Sequence, residues 1–452
     1  CIIVMDKEGA DERKHIFMVD ASKGFIKDGN KNRLREQDIH KIVDIFNKQT
    51  EFPKFSRLVS VEEISDPKND FNLNIPRYID SQETEDIQDI EAHLLGDIPN
   101  ADIEDLNEYW KVYKTLKAEL FSASKRPRYS QLKIGKDIIK QTIFSHPEFV
   151  SFSKEMDELF ANWKTRNSET LKALTPIIIG GQKPKQTIFR ISEEVLSAYT
   201  GKALMSKYDV YQHLMNYWNE VMQDDCYIIA ADGWKAELSI IKQTKQATVW
   251  DCDLVPKTLA IDRYFLIEKK AIEKLEANKE AIAAQLNELE EEHNTEEGYF
   301  ADLDKVNKAN VQKRLKELLA TKPKAKKKEL AIAAEPETAF GEQAVLELYL
   351  KLLDDQTNLN KKIKEATAIL DIKVIERYKT LTEDEIKQLV VDDKWMASIE
   401  RSVKTEMERI SQRLTQRIKE LAERYETPLP KQTADVAEWE TKVNKHLEKM
   451  GF

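Results

Sequence analysis

Cysteine, glycine and long apolar runs are all scarce in this sequence. The cysteines are Cys1, Cys226 and Cys252, and none of them forms a CxxC pair. This spacing supports neither a zinc site nor a disulfide framework, and it predicts buried or idle thiols in a reducing cytosol. The 12 glycines argue against a loop-rich, all-β protein. No apolar stretch is long enough to span a membrane, and no secretory signal is visible.

The common catalytic signatures are missing as well. The sequence contains no GxSxG, no HExxH and no P-loop, so nothing indicates a serine hydrolase, a zinc protease or a P-loop NTPase. The histidines are scattered, and no pair has metal-ligand spacing on a helix. Gly180-Gly181 follows an isoleucine triplet, but no helix-opening pattern comes after it. We therefore predict a plain turn there, not the glycine-rich turn of a Rossmann fold.

Charge and helical periodicity are abundant instead. Charged residues make up 34% of the chain, and the net charge is −10. Because a charged fraction above the usual quarter typically coats long exposed helices, we expect a mainly α protein with smaller α+β regions. An acidic total argues against this chain as the main reader of DNA, although its charge can be segregated on one face.

The first apolar segments predict strands. Cys1–Met5 and His15–Asp20 are continuous apolar runs, joined by a polar segment that contains Gly9, and this pattern is typical of a β-hairpin. Because both runs are apolar throughout, we expect them to be buried on both faces, as in an α/β sheet. A lone hairpin would be unstable. We therefore expect the chain to be a fragment that begins at the edge of a sheet whose other strands precede Cys1.

Basic and amide side chains follow in a short segment. Lys27–Arg35 is predicted to be a loop, before a helix that begins near Glu36 with an apolar stripe. Its side chains offer positive charges and amide donors to DNA phosphates, and a purely solvated loop is the alternative. Arg77, in the extended segment Asn72–Tyr78, has either a phosphate or, slightly favoured, an internal carboxylate as its partner. The candidate DNA-binding residues are Lys27, Lys31, Asn32, Arg33, Arg35 and Arg77.

The middle of the chain is predicted to combine helices with a few short strands. Residues 81–170 and Ser192–Met222 show helical periodicity, with breaks at Pro127 and near Gly201. Within the amphipathic helix Asp209–Met222, we expect His213 to have a structural or surface role. The predicted strands are Leu58–Val61, Ile188–Arg190 and Cys226–Ala231.

After Phe265 the pattern becomes that of coiled-coil-like helices. Apolar residues occupy heptad positions from Ile272 to Leu289, and a second helical pattern runs from Val345 to Ile363. These patterns predict an antiparallel helical hairpin, with Lys322–Lys328 as a basic loop for which solvation is favoured over nucleic-acid contact. A long helix then carries apolar residues every three or four positions from Ile399 to Tyr425. Prolines end it, and a final helix is predicted over Val436–Met450.

Two N-terminal segments carry a resemblance to a known family. Phe17–Glu36 (FMVDASKGFIKDGNKNRLRE), preceded by Cys1–Val4, resembles the strand, DAS turn and helix start that follow the catalytic region in modification (M) subunits of type I restriction–modification systems. Val59–Ile64 together with Asn72–Tyr78 (NLNIPRY) is similar to a second signature of those subunits. The tail of their longer members is similar to Ser206–Trp234, Leu254–Phe265 and Leu381–Gly451.

The resemblance implies that the intact subunit is an N6-adenine DNA methyltransferase. It would transfer a methyl group from S-adenosylmethionine to a flipped adenine, in the cytoplasm, together with a specificity subunit that reads the DNA and a restriction subunit. The two N-terminal apolar runs would form the edge hairpin of a Rossmann-like methyltransferase sheet. The methyl-donor and Asn/Asp-Pro-Pro-aromatic motifs are absent from this sequence. No catalytic or metal-binding residue is carried over, and we expect the fragment to bind no cofactor and to be inactive alone.

These predictions divide the chain into five regions. Residues 1–50 would form the C-terminal edge of the methyltransferase domain, residues 51–100 an extended connection, residues 101–265 a helical and α+β domain, residues 266–375 a projecting helical hairpin with a basic loop, and residues 376–452 a helical region that docks a partner subunit. The alternative is a non-catalytic coiled-coil scaffold. A glycine-rich strand–turn encoded upstream of Cys1 would support the first hypothesis, and a start codon beside Cys1 would support the second.

Overall fold

The computed structural model describes residues 2–82, 86–243, 248–295, 298–321 and 336–451. These residues are mainly helical and carry small antiparallel sheets, which confirms the prediction of a mainly α protein with α+β regions. Contacts divide the chain into two compact units, a first unit of residues 1–233 and 391–452 and a second unit of residues 234–390. Within the described ranges, no helix combines the length and apolarity that a membrane span requires.

The N-terminal part of the first unit is a small α+β region. Its elements are β1 His15–Val19, β2 Ile26–Asp28, β3 Lys31–Arg33, α1 Glu36–Lys48, β4 Ser56–Ser60 and α2 Val61–Ser65. Strands β1 and β4 pair antiparallel, with Ile16 opposite Val59 and Met18 opposite Arg57. One face of this pair packs on α2 and the segment after it, through a buried core that consists of Met18, Val59, Ile64, Tyr78 and Ile79.

Two predictions for this region are wrong. Cys1 lies outside the described residues, and residues 2–6 form no regular structure, with Ile2–Met5 exposed. The partner of β1 is therefore β4, about forty residues later in the chain, because the apolar start finds no sheet edge to join within the described residues. The predicted loop Lys27–Arg35 is instead mostly a hairpin, in which Lys27 lies opposite Asn32. Gly29 supplies the positive φ of +59° that its tight turn requires.

A helical region with a small sheet follows in the first unit. Its elements are α3 Ile90–Leu95, β5 Ile98–Pro99, α4 Asn100–Glu104, α5 Asn107–Val112, α6 Leu116–Leu120, β6 Phe121–Ala123, β7 Tyr129–Leu132, α7 Ile139–Ser145 and α8 Pro147–Lys172. The three strands pair in the order β5-β7-β6. The 26-residue α8 buries aromatic residues along one side, among them Trp163, whose indole N–H donates to the carbonyl of Ile191 at 3.1 Å.

Three helices complete this part of the first unit: α9 Pro184–Ala198, α10 Lys207–Tyr217 and α11 Gln223–Asp232. A π-helical turn, Trp218–Met222, joins α10 to α11 without a break. The predicted strands Ile188–Arg190 and Cys226–Ala231 are therefore wrong, since both lie within helices. Their apolar, β-branched residues suggest strands, but the buried residues of the second segment follow a helical spacing. Cys226, Ile229 and Ala230, at positions i, i+3 and i+4, are buried on one side of α11.

The second unit is built around long helices. Its elements are β8 Ser239–Gln243, β9 Thr248–Asp251, α12 Lys257–Tyr264, α13 Leu266–His293, α14 Lys308–Thr321, α15 Pro336–Tyr378 and α16 Glu383–Lys387. Helices α13 and α15 run antiparallel, because Lys373 bonds to Glu268 at one end and Tyr349 bonds to Glu290 at the other. The heptad pattern predicts this pairing. The predicted basic loop Lys322–Lys328 lies outside the described residues.

The C-terminal helices return to the first unit. A π-helical segment, Gln388–Met396, leads into α17 Ala397–Tyr425, and α18 Leu429–Met450 follows after a proline-bounded break. The stripe predicted along α17 is confirmed, since all of its members are buried. They are Ile399, Val403, Met407, Ile410, Leu414, Ile418, Leu421 and Tyr425. The final helix begins seven residues earlier than predicted, at Leu429, because Pro430 at its first turn is compatible with a helix start.

Candidate nucleic-acid interface

The DAS turn, Asp20–Ser22, holds the connection from β1 to β2. The backbone N–H of Asp20 donates to the carbonyl of Phe55 at 2.7 Å, and the N–H of Ser22 donates to Asp20 Oδ1 at 2.9 Å. Burial opposes ionisation of Asp20, but hydrogen bonds from Ser81 and Ser22 and the charge of Lys23 outweigh it and lower the pKa of this carboxyl. The turn is thus built on an ionised, buried carboxylate.

Arg35 and Asp38 form the N-terminal cap of α1. Asp38 Oδ2 accepts from the Arg35 backbone N–H and from its Nε, both at 2.9 Å, and Oδ1 accepts from Nη2 at 3.0 Å. Burial would raise the pKa of Asp38, but these bonds from Arg35 outweigh it and lower the pKa. A Cβ at Gly24 would lie 3.1 Å from Asp38 Oδ1, so the glycine allows the chain to approach this cap closely. Arg35 is therefore engaged in an internal structural contact.

The β2–β3 hairpin brings together four of the six predicted residues, and all four are exposed. Lys27 and Asn32 lie opposite each other on one face, and Lys27 Nζ donates to Asn32 Oδ1 at 2.7 Å. Lys31 and Arg33 lie on the other face, where Arg33 Nε is 3.2 Å from Asp28 Oδ2. The hairpin thus presents cations on both faces, in a form able to contact DNA phosphates.

Arg77 lies apart from the hairpin in the fold of the NLNIPRY segment. This segment forms a short 3-10 helix over Ile75–Arg77, and the Tyr78 hydroxyl donates to the carbonyl of Asn72 at 2.6 Å. Arg77 Nη1 donates to the carbonyl of Lys68 at 3.1 Å. The internal partner is thus a backbone carbonyl, where the sequence favoured a carboxylate.

A cleft of about 330 Å³ lies beside the DAS turn. Its charged lining consists of Lys23, Arg35, Asp38, Lys41 and Asp209. Lys41 Nζ is 4.2 Å from the ring centroid of Phe55, and burial lowers the pKa of this amine even though Asp209 and Asp38 oppose the shift. The sequence analysis did not identify Lys41. The one signal for it is its position three residues after Asp38, on a helix that was predicted from its apolar stripe alone.

The C-terminal helices provide a second candidate surface. Asp86 accepts two hydrogen bonds from each of Arg424 and Arg417, at 2.5 to 3.1 Å, and these bonds hold the pKa of its carboxyl well below the usual range. Beyond this anchor, α18 has no buried residue. Apart from Leu429 at its start, its large exposed apolar residues recur at steps of three and four, which places them on one side of the helix. They are Val436, Trp439, Val443, Leu447 and Met450.

Among the described residues, the pair Gly180-Gly181 does not form a glycine-rich turn that could bind a methyl donor. The adjacent glycines Gly180 and Gly181 close a turn after a 3-10 helix, and a Cβ at Gly181 would collide with the Thr175 carbonyl. Close approach of the backbone to itself therefore explains Gly181, and no strand precedes it to form a donor-binding turn. In the same described residues, no three His, Cys, Asp or Glu side chains are grouped to hold a metal ion.

Comparison with known proteins assigns the N-terminal segment. Residues 1–87 match the family N-6 DNA Methylase. The chain is 40% identical over 91 residues to the methylase subunit of the type I restriction enzyme MjaVII of Methanocaldococcus jannaschii. This alignment covers 19% of this chain and 15% of that protein. It is 30% identical over 98 residues to the MpnII methylase subunit of Mycoplasma pneumoniae, which covers 21% of this chain and 18% of that protein.

A third relative matches over a longer stretch. The MjaVIII methylase subunit of Methanocaldococcus jannaschii is 31% identical over 124 residues, or 26% of this chain and 20% of that protein. The chain thus spans a fifth or less of the length of the curated relatives that it matches. No solved structure matches it. The resemblance predicted from the DAS and NLNIPRY motifs is confirmed: residues 1–87 match the N-6 DNA Methylase family, and over 91 to 124 residues the chain is similar to methylase subunits of type I restriction enzymes.

Proposed function

We propose that this chain is a C-terminal part of the modification subunit of a type I restriction–modification system. The intact subunit would methylate the N6 of adenine in a specific DNA site with S-adenosylmethionine, in the cytoplasm, together with a specificity subunit and a restriction subunit. In that assembly this chain would contact the DNA backbone and dock partner subunits. The observation that carries the proposal is the match of residues 1–87 to the N-6 DNA Methylase family, together with the similarity over 91 residues to a methylase subunit of a type I restriction enzyme.

The exposed surfaces of the N-terminal region support a place beside a larger methyltransferase sheet. Strands β1 and β4 form a two-stranded sheet, and within the described ranges no third strand pairs with either outer edge. Apolar side chains remain exposed next to it, including Ile39 and Val43 of α1 and Ile16 of β1. Large apolar side chains that are exposed beside an unpaired sheet edge are available for further contact. A Rossmann-like core that packs here would bury these side chains and extend the sheet.

The chemistry of methyl transfer would lie outside this chain. The sequence lacks the methyl-donor motif and the Asn/Asp-Pro-Pro-aromatic motif, so no step of the reaction is assigned to a residue here. We propose that the chain alone neither binds S-adenosylmethionine nor methylates DNA. Equilibrium dialysis with labelled S-adenosylmethionine tests this point, and saturable binding by the chain alone would contradict it.

The apolar stripe of α18 supports docking of the specificity subunit. An amphipathic helix with one exposed apolar side is suited to pack against helices of another subunit. Trp439, with 63% of its surface exposed, lies in the middle of the stripe. Large aromatic residues at the centre of an interface typically contribute about 2 kcal/mol or more to binding. We therefore expect Trp439→Ala to weaken binding of the specificity subunit about 30-fold, since 1.4 kcal/mol is a factor of ten.

Co-purification of the chain with a tagged specificity subunit tests this role. The variant Trp439→Ala should lose stoichiometric co-purification, whereas Lys445→Ala, which helical spacing places on the opposite side of α18, should retain it. Circular dichroism should show the same helix content in both variants. Retained stoichiometric binding by Trp439→Ala and by a chain that ends before Leu429 would refute the docking role. Self-association without any specificity subunit would then favour the coiled-coil scaffold.

The hairpin cations are tested separately by DNA binding. Each phosphate contact that is lost should make the dependence of log K on log salt less steep by about 0.9. The combined variant Lys27→Ala, Lys31→Ala and Arg33→Ala should therefore flatten this dependence for duplex DNA without a change in co-purification. An unchanged slope would remove the hairpin from the proposed DNA contact.

A further inference from the structure

We propose that the cleft beside the DAS turn binds a phosphate group through Lys41, with Lys23 as a second cation. The inference rests on the proposed contact with DNA, since a backbone phosphodiester is the source of phosphate that this function supplies. A free phosphate ion has the same chemistry and would bind the same cations. The two sources are distinguished by the experiment below.

Lys41 is a half-buried cation that forms no ion pair with any described residue, although Asp209 and Asp38 favour its charge from farther away. Its Nζ lies 4.2 Å from the ring centroid of Phe55 and 5.7 Å from that of Phe52, so two aromatic faces hold the ammonium group. Among the described residues, no carboxylate oxygen lies within 4.0 Å of this nitrogen. A cation that is partly removed from water gains more from an anion than an exposed one does, because less solvent screens the pair. Lys41 therefore has an unmet capacity to bind an anion.

The carboxylates of the cleft are already engaged elsewhere. Asp38 accepts three hydrogen bonds from Arg35. Asp209 accepts from Gln37 Nε2 at 3.1 Å, and Arg409 Nη2 lies 3.9 Å from its Oδ2. The cleft is thus lined by three cations and by two carboxylates that each have another donor. The excess charge of the lining is positive, and it is contributed by Lys41 and Lys23.

The surroundings of the cleft suit a phosphodiester. Its volume of about 330 Å³ leaves space for groups attached to the phosphate, and Gly24 contributes no side chain to the lining. The hairpin cations begin with Lys27, three residues after Gly24. The cations of the hairpin therefore follow the cleft closely along the chain. A DNA strand carries successive phosphates, so it could contact the cleft with one phosphate and the hairpin with others.

The test compares Lys41→Met with Lys48→Met in the full chain. Methionine keeps an unbranched apolar stem beside Phe55 and Phe52 but removes the charge. Lys48 lies on the same helix outside the cleft lining and pairs with Asp44 at 2.5 Å, so its replacement is a matched control for charge. Lys41→Arg restores the cation. The two probes are inorganic phosphate, compared with chloride at equal ionic strength in a thermal unfolding assay, and duplex DNA titrated at several salt concentrations.

We expect inorganic phosphate to raise the unfolding temperature of the wild type, Lys48→Met and Lys41→Arg, but not of Lys41→Met. For duplex DNA, Lys41→Met should flatten the salt dependence of log K by about 0.9, and Lys48→Met should leave it unchanged. Loss of the phosphate response alone would support the site with free phosphate as its source. A phosphate response and a salt slope that are both the same in Lys41→Met and wild type would overturn the proposal.

The cleft and the proposed DNA contact can fail independently. A wild-type chain that binds no duplex DNA, but shows a phosphate response that depends on Lys41, would refute the DNA contact and support the cleft. Conversely, DNA binding that depends on the hairpin cations but not on Lys41, without any phosphate response, would support the DNA contact and overturn the cleft.

Discussion

Replacing Lys394 with methionine should destabilise the first unit by about 3–5 kcal/mol, because it leaves a buried charge without its partner. Asp225 of α11 is 3% exposed. Its Oδ2 lies 2.8 Å from Lys394 Nζ and accepts from the indole Nε1 of Trp395 at 2.7 Å. The side chain of Lys394 is only 12% exposed, so water cannot replace the lost ammonium without a rearrangement of α11.

Removal of both charges should cost much less than removal of one. In the double variant Asp225→Leu and Lys394→Met, apolar side chains of similar volume fill the same space, and exchange of a buried ion pair for such residues is often close to neutral. The remaining cost is the loss of the acceptor for Trp395 Nε1, about 1–3 kcal/mol for a buried donor. The double variant should therefore be about 2 kcal/mol more stable than the Lys394→Met variant.

Hydrogen exchange of peptides from α11 and α17, measured in a urea series by mass spectrometry, reports the unfolding free energy of the first unit without contributions from the second. The wild type, both single variants and the double variant complete a double-mutant cycle. The reasoning is refuted if the effects of the two substitutions add to within about 0.5 kcal/mol, since that additivity is the behaviour of independent sites.

Three further predictions concern other side chains of the first unit. Burial would raise the pKa of Glu406, but hydrogen bonds from His213 and Arg409 outweigh it and lower the pKa. A carboxyl with a lowered pKa in the folded state stabilises the protein above the unfolded value of about 4.5, and this stabilisation is lost as pH falls. The difference in urea midpoint between wild type and Glu406→Gln should therefore shrink from pH 7 to pH 3, and a constant difference would contradict the assignment. Burial raises the pKa of Cys226 to about 12, so peptide mass spectrometry should find this thiol alkylated by iodoacetamide at pH 8 only after unfolding, and rapid native labelling would show that it is accessible. Ile45 is 3% exposed, so Ile45→Ala should lower the free energy of unfolding by about 2–5 kcal/mol. Val43 is 50% exposed, so Val43→Ala should change the free energy of unfolding by about 0.5 kcal/mol or less. Equal losses of unfolding free energy would mean that Val43 is covered in the isolated chain.

Long helices with regular apolar spacing were predictable from the sequence. Every apolar residue of the stripe from Ile399 to Tyr425 is buried on α17, because a 29-residue helix repeats the same facing direction many times. Short apolar runs were not predictable in the same way. The composition of Cys226–Ala231 alone predicts a strand, yet this segment continues a helix that begins at Lys207. Packing against neighbouring helices determines which of the two structures forms.

The candidate interface was predictable only in part. Composition identified Lys27, Lys31, Asn32 and Arg33, and the structure joins them on one hairpin. Composition did not predict that Arg35 caps α1 through Asp38, because it cannot distinguish an arginine that bonds to a residue three positions later from an arginine in a solvated loop. Nor did it identify Lys41, whose setting depends on Phe55 from a later segment and on Asp209 from a distant helix.

The π-helical turn Trp218–Met222 has a consequence for insertions and deletions in this chain. A π turn contains one residue more than an α turn, so removal of a single residue there would restore ordinary α geometry. Residues after the deletion would keep their present facing relative to α10, because the residue that is lost is the extra one that the π turn accommodates. Asp225 and Cys226 would then still face their present neighbours, and Asp225 would keep Lys394 and Trp395. A one-residue deletion should therefore be better tolerated at this turn than within α10 or α11, where it would rotate the residues that follow by about 100°.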